Sequence, residues 1–294
     1  MGKKLLHRSA KARRRGCSET AVPASSRSRE RQRPLRIGAV PYMNGKPLVC
    51  GISRLVPGAR LTTAVPSRLT AMLARRELDV ALIPVMGYFT VDRLEMAPGI
   101  GIISRGPVES VRLFYRGRIG ELRRVRLDSS SMTSAALVKI ILKDRYHLNP
   151  GFVTAPPPRE LRGENGDAVL LIGDKAMQVR SRGWRSLDLG SEWHALTGRP
   201  FVYAVWAGLK GGLSPGLGRA LNAMKALGLS RLTAIARAES RHLGLPFARC
   251  RTYLSKRISY DLGPDEAAGM AEFLRRAIAH GLVKKGTTIR WARG

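Results

Sequence analysis

Asp79-Val80-Ala81-Leu82-Ile83-Pro84-Val85 is a short, nearly unbroken apolar run closed by a proline. A strand reads this way when both of its faces are covered, as in a parallel sheet sandwiched between helices. Upstream, Ser67 opens an amphipathic stretch through Arg76 with Leu69, Met72 and Leu73 on one face, so Ser67 is expected to cap a helix. Before it, residues 61–65 form a strand stopped by Pro66, and residues 35–40 form another stopped by Pro41. Residues 41–47 make a turn-rich loop, and residues 48–55 are expected to be helical. Strand, loop and helix in alternation specify an α/β fold with a parallel sheet.

Downstream, residues 100–104 and 110–115 read as strands flanking the turn Arg105-Gly106-Pro107. Residues 125–128 form a strand followed by Ser129-Ser130-Ser131-Met132-Thr133-Ser134 and a helix over 135–146. Residues 156–166 are loop, 167–172 a strand leading through Gly173-Asp174 into a helix, and 201–206 a further apolar strand. From Ser214 to the end the pattern is helical, with Leu217, Leu221, Met224 and Leu227 on one face. Two sheets and a helical return predict two lobes. The crossings are expected near 115–120 and 203–209, which makes residues 35–116 with 206–294 the first lobe and 117–205 the second.

The 294 residues carry a formal charge of +31, and 12 Lys and Arg against two acids fall within the first 36. Such an excess suits phosphate neutralisation. Yet there is no Cys/His finger spacing, no aromatic pair of an RNA-recognition sheet and no heptad array after a basic region. The charge is therefore read as anion steering rather than as a nucleic-acid function. Cys17, Cys50 and Cys250 lie far apart and are odd in number, so no disulfide framework is expected, and five scattered histidines build no metal site. The longest apolar runs are too short to span a bilayer. Residues 1–34 are rich in Arg, Lys and Ser without an apolar core of seven or more, and are expected to be a disordered basic extension rather than a secretory signal.

Ligands of open parallel sheets bind beyond the carboxyl ends of strands. Asn44, Ser67, Ser104 with Gly106, Ser129, Ser130 and Thr133, and Gly173 with Asp174 all follow strands in this way. Five hydroxyls in the six positions 129–134, at the start of a helix, exceed what one cap needs and offer an anion site. Residues 188–193 could hold a general acid, but a capping role for Asp188 or Ser191 is equally good. His147 and His194 stand alone, and neither a Ser-His-Asp triad nor a Gly-rich phosphate loop is present. The residues by themselves define a two-lobed anion binder.

From Pro41-Tyr42-Met43-Asn44-Gly45-Lys46-Pro47-Leu48 onward the sequence resembles the menaquinone-pathway chorismate dehydratases. The likeness continues through Pro66-Ser67, residues 78–85, Ser104-Arg105-Gly106-Pro107-Val108 with Ser110-Val111, and Leu127-Asp128-Ser129-Ser130 with Thr133-Ser134. It extends through residues 170–174, 188–193, Thr197-Gly198 and 200–206 in the same order. The resemblance implies a type II periplasmic-binding-protein fold, each lobe a mainly parallel sheet flanked by helices with a ligand cleft between. It also implies a cytoplasmic hydro-lyase of the futalosine route that dehydrates chorismate without metal or organic cofactor. Carried over by position, Asn44 meets the reacting ring edge and assists proton removal, while the substrate's own carboxylate or a water takes the proton. Ser129, Ser130 and Thr133 hold a carboxylate from the second lobe, Ser67, Ser104, Gly106 and Ser110 line the first, and Gly173 also contacts substrate. Met132 stands where many relatives carry an arginine, and the basic residues before Leu35 have no counterpart. The competing readings are a dihydroxynaphthoate synthase of the same fold, whose histidine base has no equivalent here, and a carboxylate-binding protein without catalysis.

Overall fold

The computed structural model describes residues 33–164 and 166–293. The extension expected over residues 1–34 lies outside the described residues, apart from Arg33 and Pro34. Ten strands are described: β1 (Arg36–Ala39), β2 (Arg60–Thr63), β3 (Val80–Pro84), β4 (Leu94–Ser104) and β5 (Val111–Tyr115), then β6 (Arg124–Asp128), β7 (Gly151–Ala155), β8 (Asp167–Ile172), β9 (Arg185–Asp188) and β10 (Phe201–Leu209). The helices are α1 (Ile52–Leu55), α2 (Pro66–Ala74), α3 (Val85–Thr90), α4 (Met132–Asp144) and α5 (Gly173–Gln178), followed by α6 (Leu189–Thr197), α7 (Pro215–Ser230), α8 (Leu232–Leu243), α9 (Phe247–Thr252) and α10 (Pro264–Ala279).

The strands form two five-stranded sheets ordered β2-β1-β3-β10-β4 and β7-β6-β8-β5-β9. In each sheet four strands run the same way and one is reversed: β10 is antiparallel to β3 and β4, and β5 is antiparallel to β8 and β9. The reversed strands are the ones that have just come from the other lobe, so they enter their sheet from the hinge end and run backward. The two halves share this strand order, although no repeat is visible in the sequence.

All five residues of β3 are buried, as the apolar run 79–85 demanded. The crossings fall earlier than expected. β5 already belongs to the second sheet, pairing Val111 with Ile172, and β10 belongs to the first, pairing Val205 with Ile83. Residues 105–110 and 189–200 therefore carry the chain between lobes, and Arg105-Gly106-Pro107 is a hinge rather than a hairpin turn. Asp188 ties the two crossings together: its carboxylate accepts the amides of Val108 and Glu109 on one and of Gly190 and Ser191 on the other, at 2.7–3.2 Å. Of its two sequence readings, capping is the one realised. Gly190 is required here, since a Cβ would lie 2.3 Å from the Gly106 carbonyl oxygen and 2.8 Å from Ser104 Oγ.

Other local differences have simple causes. Residues 48–55 are not one helix, because a 3₁₀ turn over Met43–Val49 ends before Gly51, which adopts φ +71°, and only the single turn α1 follows. α4 starts at Met132, capped by Ser131, three residues ahead of expectation. β7 and β9 were not legible because their residues are mostly exposed or half-exposed and lack an apolar run. Beneath the hinge, Trp193, Phe201 and Phe273 pack edge to face with centroids 4.9–5.9 Å apart. One contiguous buried cluster runs from this aromatic knot into both lobes.

Candidate functional site

Between the lobes lies a narrow cavity with ≈ 60 Å³ of room for the centres of water-sized molecules. Its walls are apolar over Val40, Pro66, Pro84, Ile102, Val111 and Ile172, and its polar lining is Tyr42, Asn44, Ser110, Ser131, Thr133, Ser134 and Tyr203. None of the lining residues is Lys, Arg, His, Asp or Glu. Among the described residues no group of three or more His, Cys, Asp and Glu side chains is placed to hold a metal ion.

Asn44 sits in the 3₁₀ turn after β1, where Pro41 and Pro47 restrict the loop. Its amide Nδ2 donates to Tyr253 Oη at 3.0 Å, and Tyr253 in turn donates to Ser110 Oγ at 2.8 Å. Asn44 Oδ1 is buried and has no protein partner. A buried carbonyl oxygen left unpaired costs about 1–3 kcal/mol, which a ligand donor would recover. Because Ser110 accepts from Tyr253, its own proton remains available to the cavity.

The second lobe contributes the start of α4. Ser131 Oγ accepts the Ser134 amide at 3.2 Å, while the first-turn amides of Met132 and Thr133 have no acceptor among the described residues. Free amides and hydroxyls at the positive end of a 13-residue helix favour an anion. Thr133 Oγ1 accepts from the Met86 amide at 3.2 Å and donates to the Tyr203 carbonyl at 3.3 Å, so it also joins the lobes. Tyr203 Oη lies 3.1 Å from Ser104 Oγ, which donates to the Gly106 carbonyl, so the tyrosine proton goes to Ser104 and its lone pairs face a ligand.

Of the nine residues expected at the site, Asn44, Ser110, Thr133 and Gly173 line the cavity together. Ser104 stands behind Tyr203, and Gly106 belongs to the hinge. Ser67 and Ser130 meet across the mouth, the Ser67 amide donating to the Ser130 carbonyl at 3.2 Å. Ser129 is exposed, its amide bound to Ala155. Gly173 takes φ +62°, and a Cβ there would come within 2.8–3.0 Å of the Tyr42 ring, so the tyrosine lies directly on the backbone of the opposite lobe. Burial pushes the Tyr42 hydroxyl up to about 12, against a lowering bond to Ser130. Next to Gly173, Asp174 accepts the Met43 amide at 3.2 Å. Its carboxyl is raised to about 6, chiefly by burial, with Glu239 adding to the rise and the Met43 amide, Lys46 and His242 opposing it. Sequence reasoning missed Tyr203 and Tyr253. The first is one residue in an apolar strand, and the second sits in the helical tail without any pattern to mark it.

Two α/β lobes, joined by paired crossings and closed over a small polar-tipped cavity, define a periplasmic-binding-protein-like fold. By fold, AF1704 from Archaeoglobus fulgidus matches with a TM-score of 0.69 at 17% identity, over 86% of this chain and 100% of that one. The aliphatic sulphonate binding protein SsuA from Escherichia coli matches with a TM-score of 0.57 at 14% identity, over 89% and 94%. Within that class the chain belongs to the menaquinone biosynthesis family, which it matches over residues 35–279. It is 32% identical over 266 residues to the chorismate dehydratase of Thermus thermophilus, a match covering 79% of this chain and 94% of that protein.

Proposed function

We propose that this chain is a chorismate dehydratase, a hydro-lyase that converts chorismate to 3-[(1-carboxyvinyl)oxy]benzoate and water. The observation that carries the reading is an inter-lobe cavity lined by one fixed amide, several hydroxyls and a free helix start, with no Lys, Arg, His, Asp or Glu in its lining. Chorismate has a flat ring for the apolar walls and carboxylates for the amides and hydroxyls at α4. Ring aromatisation drives the reaction, so the protein needs to supply positioning and water exclusion rather than a strong base or nucleophile.

The ring carbon beside the carbinol loses its proton, the C–O bond breaks with its electron pair going to the departing oxygen, and the ring becomes aromatic. Asn44 Oδ1 serves the reacting edge, and Ser110 donates a hydrogen bond to the departing hydroxyl, which leaves as water with the proton that came off the ring. An amide is too weak a base to keep the ring proton, so the substrate's own carboxylate or a water receives it. The Ser131 and Ser134 hydroxyls, with the first-turn amides of Met132 and Thr133, hold a carboxylate. Ser67, Ser129 and Ser130 act at the mouth rather than on the ring, and Gly173 with Tyr42 forms one wall. Action in the cytoplasm and a place in the futalosine route are parts of the same proposal. Among the described residues no helix is long and apolar enough to cross a membrane.

The lack of a histidine in the cavity lining weighs against the dihydroxynaphthoate synthase reading. Purified protein incubated with chorismate is expected to yield an aromatic product lighter by one water, followed by absorbance and mass. Tight binding of chorismate without that product would leave a carboxylate-binding protein and reject the enzyme.

A further inference from the structure

α9 does not end in a cap. It runs directly into a five-residue π turn, Tyr253–Arg257. Such turns insert a residue into the helical register and recur at functional sites. Here the turn leaves Ser255 and Lys256 exposed while Tyr253 is 1% exposed, its hydroxyl reaching both Asn44 and Ser110, which border the cavity from different segments.

The polarity of this chain is fixed. Tyr253 has one proton and gives it to Ser110, so only a lone pair remains toward Asn44. A lone pair selects the NH2 end of the Asn44 amide and rejects its carbonyl end. The carbonyl oxygen is thereby left as the group without a protein partner. Burial raises the Tyr253 hydroxyl above its ordinary range, so the proton stays in place at neutral pH.

We propose that Tyr253 is a positioning residue: through Ser110 it sets the orientation of the Asn44 amide and so decides that an acceptor, not a donor, faces the reacting edge of the substrate. This rests on the role given to Asn44 above. Without Tyr253 the amide is free to flip and spends much of its time with the wrong end toward the ligand.

Tyr253→Phe keeps the ring and its packing while removing the hydroxyl. With chorismate as substrate, kcat is expected to fall by about 10- to 100-fold with KM within about threefold, the pattern of an interaction that acts beyond substrate binding. In an Asn44→Ala background the same substitution is expected to cost less than about threefold, because the residue it orients is gone. Unchanged kcat in Tyr253→Phe, or losses that simply multiply in the double variant, would overturn the proposal. A second readout needs neither turnover nor the variant. In the full-length wild-type protein, the Asn44 side-chain amide resonances, assigned by their loss in Asn44→Ala, are expected to include one strongly exchange-protected proton. Rapid exchange of both protons rejects the contact. Failure of the wild type to dehydrate chorismate while that protection is present would reject the function and leave the positioning contact standing.

Discussion

At the scale of single residues, Asn44 carries the chemistry, and Asp174 and Glu272 carry the pH response. Asn44 lines the cavity and its buried Oδ1 has no protein partner, so Asn44→Ala is expected to lower kcat by about 10²-fold, the loss usual for one preorganised polar contact in a dry site. Circular dichroism and the melting temperature should stay close to wild type, and an unchanged kcat would remove Asn44 from the reaction. Asp174 sets the pH dependence of stability. Its folded carboxyl, raised to about 6, binds a proton that the unfolded chain, near ~3.9, has already released. Stability from this group is thus full below the unfolded value, declines as pH rises through the window up to about 6, and is level above it. Asp174→Asn retains an acceptor for the Met43 amide but cannot ionise. Denaturant midpoints measured across this window should show a flatter pH profile than wild type, and an identical slope would contradict the assignment. Glu272, drawn down to about 2 by Arg275 and Arg276, acts with the opposite sign at lower pH, because its stabilisation is lost on acidification.

At the scale of elements, the loops after strands decide the site. The turn from β8 into α5 requires Gly173 twice, once for its left-handed backbone and once for the Tyr42 ring against it. A side chain in that backbone region costs about 1–2 kcal/mol, and the ring must also move. Gly173→Ala is therefore expected to lower the denaturant midpoint and to raise KM for chorismate severalfold. A variant with unaltered KM would show that the Tyr42 contact does not shape the wall. The start of α4 illustrates what pattern reading achieves at this scale. Surplus hydroxyls over residues 129–134 marked a candidate binding segment, and Ser131, Thr133 and Ser134 do line the cavity. Ser129 and Ser130 fall outside it, the first held through its amide to the Ala155 carbonyl and the second through its hydroxyl to Asp128.

At the scale of the whole molecule, the charge and the closure act together. The chain carries +31 overall, yet the cavity lining carries no charged side chain. The positive field therefore acts on approach and not on the chemical step. Raising the ionic strength from about 0.01 M to about 0.1 M shortens the screening length from about 30 to about 10 Å. Over that range kcat/KM for dianionic chorismate should fall severalfold with kcat unchanged. A constant kcat/KM would remove steering from the account.

Closure itself depends on contacts between segments far apart in the chain: Met43 with Asp174, Ser67 with Ser130, Met86 with Thr133, and Asp144 at the end of α4 with Arg276 and His280 of the α10 end. The sequence by itself determined the α/β class and the buried strand over 79–85. It also determined the hydroxyl-rich helix start and the loop that holds Asn44, because periodicity, prolines and local hydroxyl density are short-range signals. Tertiary structure alone decided that β5 and β10 change sheets, that Ser104 and Gly106 serve a hinge, and that Tyr253 reaches Asn44 across 209 positions. Those outcomes depend on which segments meet when two sheets pack, and a side chain carries no local mark of a partner that only packing brings to it.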